Sequence, residues 1–272
     1  MRIFVAKKNN IGGPTPLDAY LTVNLLKEMN SNLPILEVGV FTGGFIICHL
    51  RNNENLIAVG VDPFPGLEKF REELFSNLEI YRIRDRYVHY DSIDEIKNES
   101  SKFSLIHLDG EHSESALSKD LTIASQLIDR NGIIVVDDFF HLDFPGVSSA
   151  VYEFLHHNNF SSFLITQSKI YLCRENVYGQ WLQKSKNIMD QIGIKYELEH
   201  KSVVAQGYQS SNAINGFKNI IVKLTPNEER ELRIALGIES ASSLSKYLKL
   251  MVKFIFPGGV FYTLRYVKSK IR

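Results

Sequence analysis

The chain is poor in cysteine and tryptophan, has no long apolar run, and carries no net charge. Its two cysteines, Cys48 and Cys173, are too few for a disulfide scaffold or a thiolate metal cluster. Lying inside apolar stretches, they read as small core residues in a reducing compartment. Basic and acidic residues balance at 31 each, so nothing global attracts nucleic acid and no nucleic-acid partner is expected. No uninterrupted apolar stretch reaches the length of a membrane span, and the opening MRIFVAKKNNIGG lacks the apolar centre of a signal peptide. A cytoplasmic protein is the expectation. Repeats and low-complexity tracts are absent too. What remains is 272 residues, 44% hydrophobic and 11% aromatic, enough to bury one substantial core.

Three aspartates organise the centre of the chain. Ile106 and Leu108 belong to a short apolar run closed by Asp109, and Ile133 to Val136 form a second one closed by Asp137 and Asp138. A helix of about 15 residues between the runs makes a βαβ unit with parallel strands. Parallel strands send their carboxyl ends to one edge, where open α/β sheets bind ligands, so the three side chains are expected to share a crevice. One acid at a strand end marks only the surface. Three in one crevice repel, and a hard divalent cation with oxygen ligands, Mg2+ or else Mn2+ or Ca2+, settles the charge.

Upstream, PILEVGVFTGGFIICHL reads as a buried strand from Ile35 to Val38, a glycine turn and an apolar helix starting near Gly43 or Gly44. Gly39 and Gly43 let the backbone approach a ligand, and the helix N-terminus offers free amides. A second strand, LIAVGVD, ends at Asp62, placed to accept hydrogen bonds from ribose hydroxyls. By itself this pattern serves NAD, FAD or S-adenosylmethionine equally. A third strand, Tyr87 to Tyr90, leads into Asp91 and Ser92, which either face an adenine or cap the helix of DSIDEI. Earlier still, Ile3 to Val5 is a candidate strand, and Thr15 is a candidate N-cap with Pro16 at the first helical position.

The turn Glu37-Val38-Gly39 followed by Gly43, together with IHLDGEHS and GIIVVDDFF, resembles the class I S-adenosylmethionine-dependent methyltransferases, specifically the macrolide-sugar and aminocoumarin-sugar O-methyltransferases. The resemblance runs from about Pro34 to Arg174. It implies a Rossmann-like α/β fold, a seven-stranded sheet with helices on both faces ending in an antiparallel hairpin (FSSFLITQSKIYLCR), followed by a C-terminal α+β extension. It further implies that Glu37, Gly39, Thr42, Gly43, Asp62, Asp91 and Ser92 hold S-adenosylmethionine, and that Asp109, Asp137 and Asp138 hold Mg2+ or Mn2+. In that family a first Asp and an acidic pair 28 residues later are the ligands, the spacing found here. Catalytic roles fall on His112, three residues past Asp109, and on Asp109 itself. The implied activity is metal-assisted O-methylation of a sugar or another small molecule with vicinal oxygens, in glycan or natural-product biosynthesis. His107, on the opposite face of its strand, reads as a core histidine.

The organisation expected from these signals is an N-terminal helix or lid over 1–33, a methyltransferase core over 34–175, an α+β accessory region over 176–239 and a basic, aromatic-rich tail over 240–272. The tail carries seven Lys or Arg and no acid. It suits either peripheral contact with an anionic membrane or packing on the core, and a homo-oligomer stays open. Trp181 and Tyr208 are candidates for the pocket or for packing. Two other readings stay open: an NAD- or nucleotide-sugar-dependent Rossmann enzyme, and a non-catalytic binding protein of methyltransferase fold.

Overall fold

The computed structural model describes residues 4, 13–97, 102–192, 197–199 and 219–238. Seven strands follow in chain order: β1 (Ile35–Val38), β2 (Ala58–Val61), β3 (Tyr87–Tyr90), β4 (Phe103–Leu108), β5 (Ile128–Val136), β6 (Phe160–Ile165) and β7 (Ile170–Arg174). Two short ones, β8 (Glu197–Glu199) and β9 (Asn219–Ile221), come from the C-terminal region. The sheet order is β3-β2-β1-β4-β5-β7-β6-β9-β8. β1 to β5 are parallel, β7 is antiparallel to both β5 and β6, and β9 adds alongside β6. The expected seven-stranded sheet with its closing hairpin is therefore present, and the extension joins its edge to make nine strands. Strand order reverses between β1 and β4, which opens a crevice at their carboxyl ends.

Helices cover both faces. The first, α1 (Pro16–Met29), begins as its sequence dictates: Pro16 occupies the first turn, Thr15 caps by accepting from the Asp18 amide at 3.1 Å, and Asn30 closes it in the left-handed conformation. Every residue from Pro16 to Leu25 is buried, so α1 lies against the sheet as a flank. It shares one apolar layer with α2 (Gly44–Asn52), α3 (Glu68–Ile80), α6 (Tyr178–Asp190) and α7 (Pro226–Ala235). The opposite layer holds α4 (Glu114–Leu127) and α5 (Pro145–His157). Strands β1, β4 and β6 and the Gly132–Val136 stretch of β5 are buried residue after residue, as strands sandwiched between helical layers must be. Cys48 and Cys173 are buried, free thiols. Among the described residues no helix is long and apolar enough to cross a membrane. The expectations for Ile3–Val5, Tyr208 and the 240–272 tail fall outside the described residues.

Candidate active site

The crevice is a cavity of about 820 Å3 at the carboxyl edge of the sheet, reaching from Glu37, Gly39 and Asp62 past Asp91 and Ser92 to Asp109 and Asp137. Its first wall is the turn after β1. Gly39 has φ +85°, and a Cβ there would lie 1.9 Å from the Asp109 carbonyl oxygen, so only glycine lets β1 and β4 close at this point. Asp62 fastens that turn: its Oδ2 accepts from the Phe41 amide at 2.9 Å and its Oδ1 from the Phe64 amide at 3.1 Å. Glu37 lies deeper, 3% exposed. Burial, reinforced by the charge of Asp109, holds its carboxyl well above the usual range. Its Oε1 faces His107 Nδ1 at 3.1 Å, while its Oε2 is buried with no hydrogen-bond partner. A buried, unpaired carboxyl oxygen on a residue that lines a cavity calls for a cationic or donor group from a ligand.

Of the other residues expected to hold a cofactor, Asp91 and Ser92 line the cavity and Thr42 and Gly43 do not. Thr42 is fully buried and offers its carbonyl to Asn77 at 3.0 Å. Gly43, at φ +87°, is the N-cap of α2, and Gly44 takes the place against the cavity that was expected for it. Ser92 does cap, but a 3-10 turn, with Glu95 accepting from the Asp91 and Ser92 amides at 3.0 and 2.8 Å.

The acid half is divided. Asp138 adopts φ +53°, a conformation Asp tolerates better than most residues, and the chain reverses there. Asp138 and Asp137 then serve different partners. His112 Nε2 lies 3.5 Å from Asp109 Oδ1 and 3.2 Å from Asp138 Oδ2, and is itself buried without a hydrogen bond. The His112 ring stacks on Phe144 at 4.3 Å, which fixes its plane. Its close contact with Asp109, joined by the charges of Asp138 and Asp137, holds its pKa above the ordinary imidazole value. Burial raises that of Asp109. Ligands in cis positions around an octahedral ion with bonds of about 2.1–2.4 Å stand roughly 3.0–3.4 Å apart, close to the spacing around His112 Nε2, so these three residues fit a divalent cation. A second set, His107, Asp109 and Asp137, also converges. There, however, a cation of the chain's own is present: Lys169, 98% withdrawn from solvent, forms an ion pair with Asp137 Oδ2.

Lys169 had no signature in the sequence. Pairing of β5 with β7 puts Val136 opposite Ile170, which brings residue 169 beside residue 137. The ammonium also lies 3.0 Å from His107 Nε2. An ammonium only donates, so that Nε2 accepts, Nδ1 carries the ring proton, and it donates to Glu37 Oε1. Burial and the Lys169 charge push the His107 pKa well below its ordinary value. Burial works against the Lys169 ammonium, yet the carboxylates of Asp137, Asp18 and Asp109 outweigh it and raise its pKa. His107 is thus buried like a core residue and stacked on Phe45 at 4.1 Å, but it also lines the cavity. Asp18, which sequence reasoning passed over, is 1% exposed and accepts from Thr15, Thr166 and Tyr171 hydroxyls at 2.6, 2.8 and 2.8 Å. Trp181 packs, donating to the Asn131 carbonyl at 3.1 Å.

An open α/β sheet with its ligand crevice at the strand-order switch defines a class of nucleotide- and cofactor-binding enzymes. Within that class, residues 36–139 match the family model described as a methyltransferase domain. Sheet order and match together give this core the class I methyltransferase fold. Among solved structures, the chain is similar to cofactor-bound Rv0187 from MTB, at 17% identity over 62% of this chain and 84% of that one, with a TM-score of 0.52. It is also similar to the O-methyltransferase NovP (16%, 58% and 78%, TM-score 0.49) and to the O-methyltransferase TomG from Streptomyces achromogenes (16%, 58% and 79%, TM-score 0.47). No curated protein matches the chain.

Proposed function

We propose that the chain is an S-adenosylmethionine-dependent O-methyltransferase whose acceptor is a hydroxyl of a sugar or another small molecule with vicinal oxygens, assisted by a divalent metal. The observation that carries this reading is the buried, unpaired Glu37 Oε2, in the same cavity as Asp109. It suits the ammonium of the cofactor's methionine end. Asp62 lines the same cavity at the end of β2, which suits a partner for ribose hydroxyls, and Ser92 and Ile93 line it too.

S-adenosylmethionine supplies an electrophilic methyl carbon on a sulfonium, and the protein's task is to align an oxygen behind it and exclude water. A cation held by the acids at the sheet edge supplies positive charge that favours the deprotonated form of the acceptor hydroxyl. Asp109, Asp137 and Asp138, with His112 beside them, are the residues from which its ligands would come. The acceptor proton goes to Asp109, which lines the cavity, or to His112, 3.5 Å from it. Two adjacent oxygens on the acceptor suit a cation with two open positions.

Isothermal titration of the full chain with S-adenosylhomocysteine against NAD tests the donor half. Tight binding of NAD and none of the homocysteine would transfer the chain to the dehydrogenase-like reading. Methyl transfer to a panel of nucleotide sugars and catechols then tests the acceptor.

A further inference from the structure

Four groups stand in an unbroken line across the crevice, the half-buried Asp137 and the buried Lys169, His107 and Glu37. Lys169 pairs with Asp137 Oδ2 and donates to His107 Nε2 at 3.0 Å, and His107 donates to Glu37 Oε1 at 3.1 Å. His107, Lys169 and Glu37 are each no more than 3% exposed. The line joins the acid side of the cavity to the donor side. Each end lacks one thing. Asp137 has one oxygen held by Lys169 and the other accepting from the Asp138 amide at 2.9 Å, so each oxygen already has a partner. Glu37 has one oxygen held by His107 and the other unpaired.

We propose that Lys169 is a resident cation that takes Asp137 out of the divalent-metal ligand set, leaving Asp109, His112 and Asp138, and that through His107 it orients Glu37 so that Oε2 meets the cationic end of the methyl donor. The inference rests on the donor reading above. Lys169 and His107 are positioning residues: they turn Glu37 about its own side-chain bonds, and a glutamate without the Oε1 contact has no fixed direction in which to present Oε2. Asp109, His112 and Asp138 remain the atoms that converge without being consumed by other partners. With His112 Nε2 given to the metal, Asp109, through its second oxygen, is left to accept the acceptor's proton. An imidazole among the ligands also tilts the site toward Mn2+ over Mg2+.

The test uses the full chain and two readouts that need no turnover: calorimetric binding of S-adenosylhomocysteine, and binding of Mn2+ followed by electron paramagnetic resonance. His107→Phe keeps the stack on Phe45 and deletes both nitrogens. It should weaken S-adenosylhomocysteine about tenfold or more, the worth of one charge-assisted hydrogen bond, and leave Mn2+ binding unchanged. Asp138→Asn should weaken Mn2+ at least about tenfold, whereas Asp137→Asn should change it by no more than about threefold. Lys169→Met frees Asp137 and should tighten Mn2+ while weakening S-adenosylhomocysteine. Should Lys169→Met not fold, the His107 and Asp137 variants decide alone. Equal loss of Mn2+ in Asp137→Asn and Asp138→Asn overturns the ligand assignment, and wild-type affinity for S-adenosylhomocysteine in His107→Phe overturns the positioning role. Wild-type protein that binds no S-adenosylhomocysteine at all defeats the donor reading instead, and the two failures are told apart.

Discussion

Replacing Gly39 by Ala strikes the donor and acid halves of the site at their junction. At φ +85° an L-residue costs roughly 1–2 kcal/mol in backbone strain. The added Cβ would also sit 1.9 Å from the Asp109 carbonyl oxygen, 2.4 Å from its carbon and 2.7 Å from the Gly110 nitrogen. All three are backbone atoms and cannot swing away. β1 and β4 must part by more than an ångström, which breaks or stretches the 2.8 Å bond from the Asp109 amide to the Val38 carbonyl. Leaving those groups unpaired costs about 1–3 kcal/mol more, for a total of roughly 2–5 kcal/mol. Gly66 supplies the control: it too has positive φ, +67°, but nothing lies within 4 Å of the added Cβ. Gly66→Ala should therefore cost only the strain, about 1 kcal/mol. Urea unfolding of both variants gives the two losses, and S-adenosylhomocysteine titration should find Gly66→Ala unimpaired and Gly39→Ala weakened beyond tenfold. Equal stability and equal binding in the two variants would refute the close approach of β1 to Asp109 as the reason for glycine.

Glu37→Gln should stabilise the protein lacking cofactor and weaken S-adenosylhomocysteine at least about tenfold. Burial raises the Glu37 carboxyl above its unfolded value, so its charge subtracts stability as pH rises above the unfolded glutamate range. The gain, on the order of 1 kcal/mol, should accordingly appear in urea unfolding at pH 8 and shrink toward pH 5. His112 titrates in the opposite sense: Asp109 raises its pKa, and ligation needs the unprotonated ring. Mn2+ affinity should fall as pH drops through a value above the ordinary imidazole pKa of about 6.5, and His112→Asn should remove that dependence and lower kcat by about 100-fold. Chelation with EDTA should abolish methyl transfer while S-adenosylhomocysteine binding stays within about twofold; a full rate in EDTA would remove the metal from the mechanism.

The parts of this site that could be read from the chain are those whose meaning is local. Thr15 and Pro16 announce α1 through the bonding needs of a helix start, and the cavity acids Glu37, Asp62 and Asp109 stand at or beside the ends of apolar runs. Parallel strands then carry those acids to one edge without further information. The nine-stranded sheet was legible up to β7, because β1 to β7 alternate with helices or close a hairpin, whereas β8 and β9 are three-residue strands whose pairing depends on a distant edge. Lys169 was silent for a related reason: an isolated lysine before a strand reads as solvent-facing, and only the antiparallel register of β5 against β7 sets it at Asp137. His107 was legible as buried, since it lies mid-strand, but strand alternation predicts a face and not the partners on that face. The same holds for the acidic pair. Two adjacent aspartates are identical in sequence, and it is the left-handed backbone at Asp138 that sends one to His112 and the other to Lys169. Counting carboxylates therefore overstates the charge that a bound ion must balance. Of the acids Glu37, Asp109, Asp137 and Asp138, Asp137 already has its cation, and the demand left for metal and methyl donor is smaller by that charge.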